Sequence, residues 1–179
     1  MGPAARDEQE MFGTEPAMLV DALLGGGLSE AAQRHLDQAA NLYHHAEMAE
    51  QHLTEARALA PDHAAVMIGL YRFFFYKGRL QEALEVACTC LTKAARDNKL
   101  ALDWHCVRPD DANFSDFGAA LPRFYLFTLK AYAYLQMRLG DLDEGYAAIE
   151  KLLELDPTDK VNAKLLLGVW QRSGKSDED

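Results

Sequence analysis

The residues of this 179-residue chain best suited to metal or redox chemistry are Cys88, Cys90, His105 and Cys106. Thiolate and imidazole groups are the ligands that Zn²⁺ prefers, so four such side chains could hold a zinc ion or respond to oxidation. However, Cys88 and Cys90 are two residues apart on a predicted helix, and that spacing directs them to different faces. We therefore predict no bound metal and no cofactor. A metal- or redox-responsive protein that uses these four residues is kept as an alternative.

The sequence carries no motif of an enzyme active site. It contains neither a Gly-rich phosphate loop nor a nucleophile elbow, and no Cys–His pair has a third residue to orient it. The carboxylates are numerous, but they fall on predicted solvent-facing sides of helices. We therefore predict a protein that is not an enzyme.

Two glycines predict the helical hairpins of this chain. Gly78 lies in residues 75–84 (FYKGRLQEAL), and Gly140 lies at the same place in residues 137–146 (MRLGDLDEGY). A glycine there accepts the left-handed backbone that ends one helix before a tight turn. The small residue five positions later allows the next helix to pack closely against the first. Both phrases therefore predict helical hairpins.

The two phrases resemble the tetratricopeptide repeat, a helical hairpin with a period of about 34 residues. Three copies in loose register cover most of the chain from Glu30 onward, at residues 30–63, 64–97 and 126–159. The resemblance implies an all-α fold, a right-handed superhelix of about three such hairpins with additional N-terminal and C-terminal helices. It also implies that the chain binds other proteins.

The pattern divides the chain into one helical domain and two tails. We expect a flexible N-terminal tail at residues 1–15, the helical domain at 16–172 and a polar C-terminal tail at 173–179. Within the domain, residues 16–24 form a short amphipathic helix that ends at three glycines, and Ser29 caps the next helix.

One break in the repeat register predicts an insertion. Gly78 and Gly140 are 62 residues apart, which fits one repeat of about 34 residues plus roughly 28 more. The inserted residues, 98–125, include Trp104, Phe114 and Phe117. A disordered linker would be poor in aromatic residues, so we expect this insertion to pack on the repeats or on a partner.

The resemblance also implies a binding surface, because the first helix of each hairpin lines a concave groove in that family. Transferred by register, the groove positions are Arg34, Arg72, Phe75, Tyr76, Phe127, Lys130, Tyr134, Met137 and Arg138. Together with Trp104 of the insertion, they are our predicted partner-binding residues. Arg72 and Lys130 would pair with carboxylates of the partner. The alternative is that the aromatic cluster is core and that the cations only solvate helix faces.

Composition limits the kinds of partner and the cellular location that we expect for this chain. The net charge of −10 makes nucleic acid and anionic membranes poor partners. Residues 64–138 carry 10 basic and 7 acidic side chains, so the middle of an acidic chain is locally basic. No segment is apolar enough to cross a membrane, and residues 1–10 do not form a signal peptide. We expect a cytoplasmic protein.

Two resemblances suggest which larger protein is bound. Residues 24–30 (LGGGLSE), followed by three repeats, are similar to type III secretion translocator chaperones, although the insertion departs from that family. Residues 70–80 (LYRFFFYKGRL) and 122–135 (PRFYLFTLKAYAYL) are similar to small repeat proteins associated with bacterial nitrogen-fixation gene clusters. We therefore predict an adaptor or assembly factor that docks on a larger complex, a nitrogenase component among the candidates.

Self-association is a further prediction for the last helix. Leu165, Leu166, Val169 and Trp170 would form an exposed apolar face there, through which two copies would pair as a homodimer.

Overall fold

The computed structural model describes residues 27–116 and 118–173, and the regular secondary structure in these ranges is helical. The α-helices are α1 (Glu30–Asn41), α2 (Ala46–Leu59), α3 (Ala64–Tyr76), α4 (Leu80–Asp97), α5 (Ala120–Arg138), α6 (Leu142–Leu155) and α7 (Ala163–Ser173). Two short 3-10 helices, Trp104–Cys106 and Pro109–Asp111, lie between α4 and α5. These residues contain no β-strand, so the predicted all-α class is confirmed.

The helices pack as successive hairpins around one apolar core. Helices α1 and α2, α3 and α4, and α5 and α6 form the hairpins, and α7 packs on α6. The junction between α4 and α5 is as extensive as the contacts within a hairpin, whereas α2 and α3 share far fewer contacts. The fold is thus a helical repeat whose first hairpin is joined to the rest through a narrow interface. No helix of these described ranges combines the length and the apolar character needed to cross a bilayer.

The hairpin turns follow the two glycine phrases. Gly78 and Gly140 have φ angles of +74° and +95°, in the left-handed region. In each turn the residue after the glycine donates a backbone hydrogen bond of 2.9 Å to a carbonyl in the last turn of the preceding helix, Phe74 or Gln136. This arrangement satisfies carbonyl groups that a helix end otherwise leaves unpaired. The prediction made from the two glycines is confirmed.

Side-chain caps fix the starts of several helices. The Ser29 Oγ accepts a hydrogen bond of 3.2 Å from the backbone N–H of Ala32, as the sequence predicts. The Asp141 carboxylate does the same for the N–H of Glu144 at α6, at 3.2 Å. These bonds pair N–H groups that lack a partner within the first turn.

The insertion packs on the hairpins, as predicted, and ends earlier than predicted. Trp104, Val107 and Phe114 are all buried, and the Phe114 ring lies 6.0 Å from that of Tyr125 on α5. The Lys151 Nζ on α6 donates a 3.0 Å hydrogen bond to the Val107 carbonyl. The predicted limit at residue 125 is wrong, because α5 already begins at Ala120 and includes the last residues assigned to the insertion.

The apolar residues of the C-terminal helix are buried to different degrees. Leu166 is only 1 % exposed, and Val169 and Trp170 pack against the core. The Trp170 ring lies 4.7 Å from the Tyr146 ring on α6. Leu166 is therefore covered within the chain, whereas the pairing of two copies through this helix stays a prediction.

Several predictions fall outside the described residues. They are the tail at 1–15, the helix at 16–24, Phe117 and the C-terminal tail beyond Ser173.

Gly145 and Gly69 offer a matched test of hairpin packing. A Cβ at Gly145 would overlap the Met137 side chain and lie 3.0 Å from the Ala133 carbonyl oxygen. We expect Gly145→Ala to lower the free energy of unfolding by about 1–3 kcal/mol, the usual cost of overpacking. Chemical denaturation followed by circular dichroism measures this change.

Gly69→Ala is the control, because its Cβ would meet only ordinary contacts, 3.4 Å from Leu53 and 3.6 Å from Leu36. It should raise the free energy of unfolding by about 0.5–1 kcal/mol, since alanine favours a helix interior over glycine. Equal effects of the two substitutions would contradict close packing at Gly145.

Candidate protein-binding groove

An open groove separates α1 from α3, the first helices of the first two hairpins. Its volume is about 760 Å³. The side chains that line it are mainly apolar, with a few polar groups: Gln33, Leu36, Asp37, Tyr43, Leu53, Ile68, Arg72, Phe73 and Tyr76. An apolar concavity of this size with few polar groups is typical of a binding site.

Small residues keep the groove open. Ala40 on α1 and Ala65 and Gly69 on α3 face the space between the helices, and Leu53 of α2 reaches its floor. With so little side-chain volume between them, α1 and α3 do not fill the gap. The groove therefore results from residue size at three positions.

A positive charge lies in this apolar setting. Arg72 is half-buried on α3, and no hydrogen bond or ion pair joins its guanidinium to another described residue. Across the groove, the Asp37 carboxylate already accepts a 2.8 Å hydrogen bond from the Gln33 amide. A guanidinium offers a fork of N–H donors that matches a carboxylate. Arg72 is thus suited to a carboxylate on a molecule bound in the groove.

The rim near Tyr43 is held in place by a lysine. The Lys77 Nζ donates a 2.9 Å hydrogen bond to the Tyr43 carbonyl and lies 4.0 Å from the centre of the Tyr43 ring. Partial burial, with a smaller contribution from Tyr76, raises the pKa of Tyr43, although the charge of Arg72 opposes this change. Tyr43 therefore stays a neutral hydrogen-bonding group at the groove.

The structure brings only two of the predicted binding residues into this groove, Arg72 and Tyr76. Arg34 lies on α1 in shallow clefts away from it, beside His35 and His52. The Nδ1 atoms of those two histidines are 2.9 Å apart. Arg34 therefore does not line the groove, and its role in binding stays a prediction.

Another predicted set fills the space between α3 and α5. Phe75 and Tyr134 are buried with their rings 5.7 Å apart, and Met137 is 5 % exposed. The exposed Arg138 covers them, donating a 3.0 Å hydrogen bond to the Tyr134 hydroxyl. Phe127 is partly buried against the same core. These aromatic residues thus act as core, which is the alternative that the sequence left open.

Lys130 and Trp104 also differ from expectation in their exposure. Lys130 is 3 % exposed and Trp104 is 7 % exposed, so neither presents an open surface to a partner. Trp104 packs against Tyr132 of α5, with the rings 6.1 Å apart, and stacks on His105 at 3.6 Å. The partner-binding role of these two residues stays a prediction, and in this structure both side chains are buried.

Sequence reasoning missed the α1 side of the groove. Leu36 and Ala40 lie four residues apart, which places them on one face of α1, and Tyr43 follows just after the helix ends. That spacing could have identified this face of α1 from the sequence. The first repeat, however, matches the family pattern weakly at its start.

The four residues of the metal or redox alternative do not come together. Cys90 is buried with its Sγ 3.8 Å from the Thr128 hydroxyl, whereas Cys88 and Cys106 are exposed at separate places. The His105 ring instead contacts a carboxylate, with its Nδ1 2.8 Å from Asp103. Within residues 27–116 and 118–173, no group of three or more potential metal ligands is found.

Comparison with known proteins gives one informative relative. It is described as an uncharacterized 19.8 kDa protein in the nifW 5′ region of Azotobacter chroococcum mcd 1. The two sequences are 40% identical over 122 residues, which cover 68% of each chain. No family model matches the chain, and no solved structure matches it. The predicted association with nitrogen fixation is thereby supported, whereas the tetratricopeptide resemblance stays a prediction.

The three thiols should differ in reactivity. We expect an alkylating reagent at pH 7 to label Cys88 and Cys106 in the native protein and to leave Cys90 unmodified. Burial raises the pKa of the Cys90 thiol to about 12, and the thiolate is the reactive form. Peptide mass spectrometry with and without denaturant measures this difference. Rapid native labelling of Cys90, or protection of Cys88 and Cys106 together by added Zn²⁺, would contradict the structure.

Trp104 should matter for stability. Trp104→Ala should lower the free energy of unfolding by about 3–5 kcal/mol, because it removes a large buried side chain. Leu102→Ala, two residues away and 57% exposed, is the control and should change it by about 0.5 kcal/mol or less. Similar stabilities of both variants in denaturant titrations would show that the insertion does not pack as described.

Proposed function

Because this chain belongs to the family of the Azotobacter protein from the nifW 5′ region, we propose that it is an accessory protein of nitrogen fixation. It is non-catalytic and cytoplasmic, and it binds another protein in the groove between α1 and α3. The observation that supports this proposal most directly is the apolar groove with the half-buried Arg72 inside it.

The lining of the groove suits a protein ligand. Tyrosine and arginine are enriched among the residues that contribute most to protein–protein affinity. Tyr43, Arg72 and Tyr76 lie together there above an apolar floor formed by Leu53 and Ile68. Apolar side chains of a ligand would be buried against that floor, away from water. The Arg72 guanidinium would pair with a carboxylate of the ligand.

The bound segment is therefore an amphipathic stretch with apolar side chains and one acidic residue. In the tetratricopeptide repeats that the sequence resembles, the first helices of the hairpins line the binding groove, and the groove proposed here likewise lies between two first helices. Given the genetic setting of the relative, the proposed partner is a nitrogenase component or an intermediate in its assembly.

Affinity capture under anaerobic conditions from nitrogen-fixing cells tests this function. The bait is the tagged full chain, as wild type, as Arg72→Glu and as the control Arg57→Glu. Arg57 is an exposed arginine on α2 that does not line the groove, so its reversal matches the charge change at another surface.

We expect wild type and Arg57→Glu to recover a nitrogenase component or assembly protein. Arg72→Glu should reduce that recovery about tenfold or more, since loss of a central interface contact commonly costs over 1 kcal/mol. Isothermal titration with the purified partner gives the affinities. Equal binding by the two arginine variants would reject the groove as the site.

A further inference from the structure

Two histidines meet between α1 and α2, outside the groove. His35 on α1 and His52 on α2 are both half-buried, and their Nδ1 atoms are 2.9 Å apart. The ring centres are 5.2 Å apart, and the ring planes are inclined by 43°. A hydrogen bond between two Nδ1 atoms requires one ring to donate its hydrogen and the other to accept with a bare nitrogen. Two imidazole nitrogens from separate helices are thus held at one place on the hairpin.

A small cleft opens beside this histidine pair. Its volume is about 250 Å³, and it is lined by Ala31, Arg34, His35, Gln38 and His52. A water molecule takes about 30 Å³ in the liquid, so the cleft has room for an ion with several bound waters. The exposed Gln38 brings an amide oxygen to the same space. Nitrogen and oxygen ligands of these kinds suit divalent transition-metal ions.

We propose that His35 and His52 form a two-histidine site that binds a divalent transition-metal ion of the nickel or copper class. Metal–nitrogen bonds of about 2.0–2.1 Å place two nitrogens about 2.9 Å apart at a right angle and about 3.3 Å apart at the tetrahedral angle. The observed separation of 2.9 Å matches the right angle. Right angles between ligands are typical of the tetragonal sites of Ni²⁺ and Cu²⁺.

Binding requires only a limited movement of the two rings. The ion takes the place of the hydrogen between the two Nδ1 atoms, and that hydrogen passes to Nε2 of its ring through exchange with solvent. Because the ion lies to one side of the line that joins the nitrogens, each ring turns by about 45°. The χ2 angle of histidine has a broad energy minimum, and the cleft provides the space for this rotation.

The charge of the first hairpin favours a cation. Residues 30–59 contain five acidic and two basic side chains, and such an excess raises the local concentration of cations. Arg34 lines the cleft and opposes a cation, but it is exposed, so solvent and salt screen its charge. Two histidines are fewer than the three or four protein ligands of a zinc centre. The bound ion is therefore exchangeable, with water in the remaining positions.

An ion at this site would join α1 to α2. Helix α1 also carries Leu36 and Asp37, which line the groove. An ion that binds the native hairpin stabilises it by mass action. Any effect on ligand binding in the groove rests on the proposed function, whereas the metal site itself does not require a partner.

Calorimetric titration of the untagged full chain with Ni²⁺ tests the site. We expect His35→Gln and His52→Gln each to weaken binding at least about tenfold, since loss of even an outer-shell partner commonly costs that much. Glutamine can still form a hydrogen bond with the remaining histidine, and circular dichroism checks that each variant is folded. The control His44→Gln changes an exposed histidine in the turn between α1 and α2 and should bind like wild type.

Thermal unfolding gives a second measurement. Added Ni²⁺ should raise the unfolding temperature of wild type and of His44→Gln, and it should leave that of His35→Gln unchanged. The inference would be overturned by wild-type affinity in His35→Gln or by an equal loss of affinity in His44→Gln. Zn²⁺ bound more tightly than Ni²⁺ would reject the right-angle geometry. None of these results involves a partner, so Ni²⁺ binding with failed capture would keep the metal site and reject the proposed function.

Discussion

The junction between α2 and α3 determines the shape of the binding surface. Because α1 packs mainly on α2, its distance from α3 depends on how the first hairpin is attached. Arg79, just after the glycine turn, bridges the Glu50 carboxylate of α2 at 2.5 Å and that of Glu82 on α4 at 2.5 Å. These groups are partly exposed, and solvent screens their attraction, so each pair contributes little to stability. The bidentate pair between Arg79 and Glu50 joins the first hairpin to the start of α4.

The two spaces between the first helices of neighbouring hairpins have opposite properties because of side-chain size. Between α3 and α5, Phe75 and Tyr134 meet and leave a filled core. Between α1 and α3, the small residues Ala40 and Gly69 line a groove that stays open. The groove is open to solvent, so a ligand bound there would displace water from an apolar lining. The repeat geometry is shared, and the residues at a few positions decide whether a site exists.

The sequence predicted the helical hairpins because a left-handed glycine followed by a small residue is a local requirement. Gly78 and Gly140 could be recognised without knowing what packs around them. The candidate binding residues were harder to predict, because the exposure of a side chain depends on distant parts of the chain. Lys130 was assigned to a groove that α5 does not line. The burial of Trp104 depends on how residues 98–119 return across α5, which repeat register does not specify.

Binding in the groove and the stability of the first hairpin must be linked. A ligand that touches both α1 and α3 adds contacts across the narrow α2–α3 junction, and any ligand that prefers the native state stabilises it by mass action. Local opening of α1 and α2 requires less free energy than global unfolding when few contacts join them to the rest of the chain. The occupant therefore changes the opening of this hairpin more than that of the α4–α5 junction, which is extensive without it. Under the proposed function, binding and local stability share one interface, because the groove that Leu53 lines adjoins the narrow contact between α2 and α3.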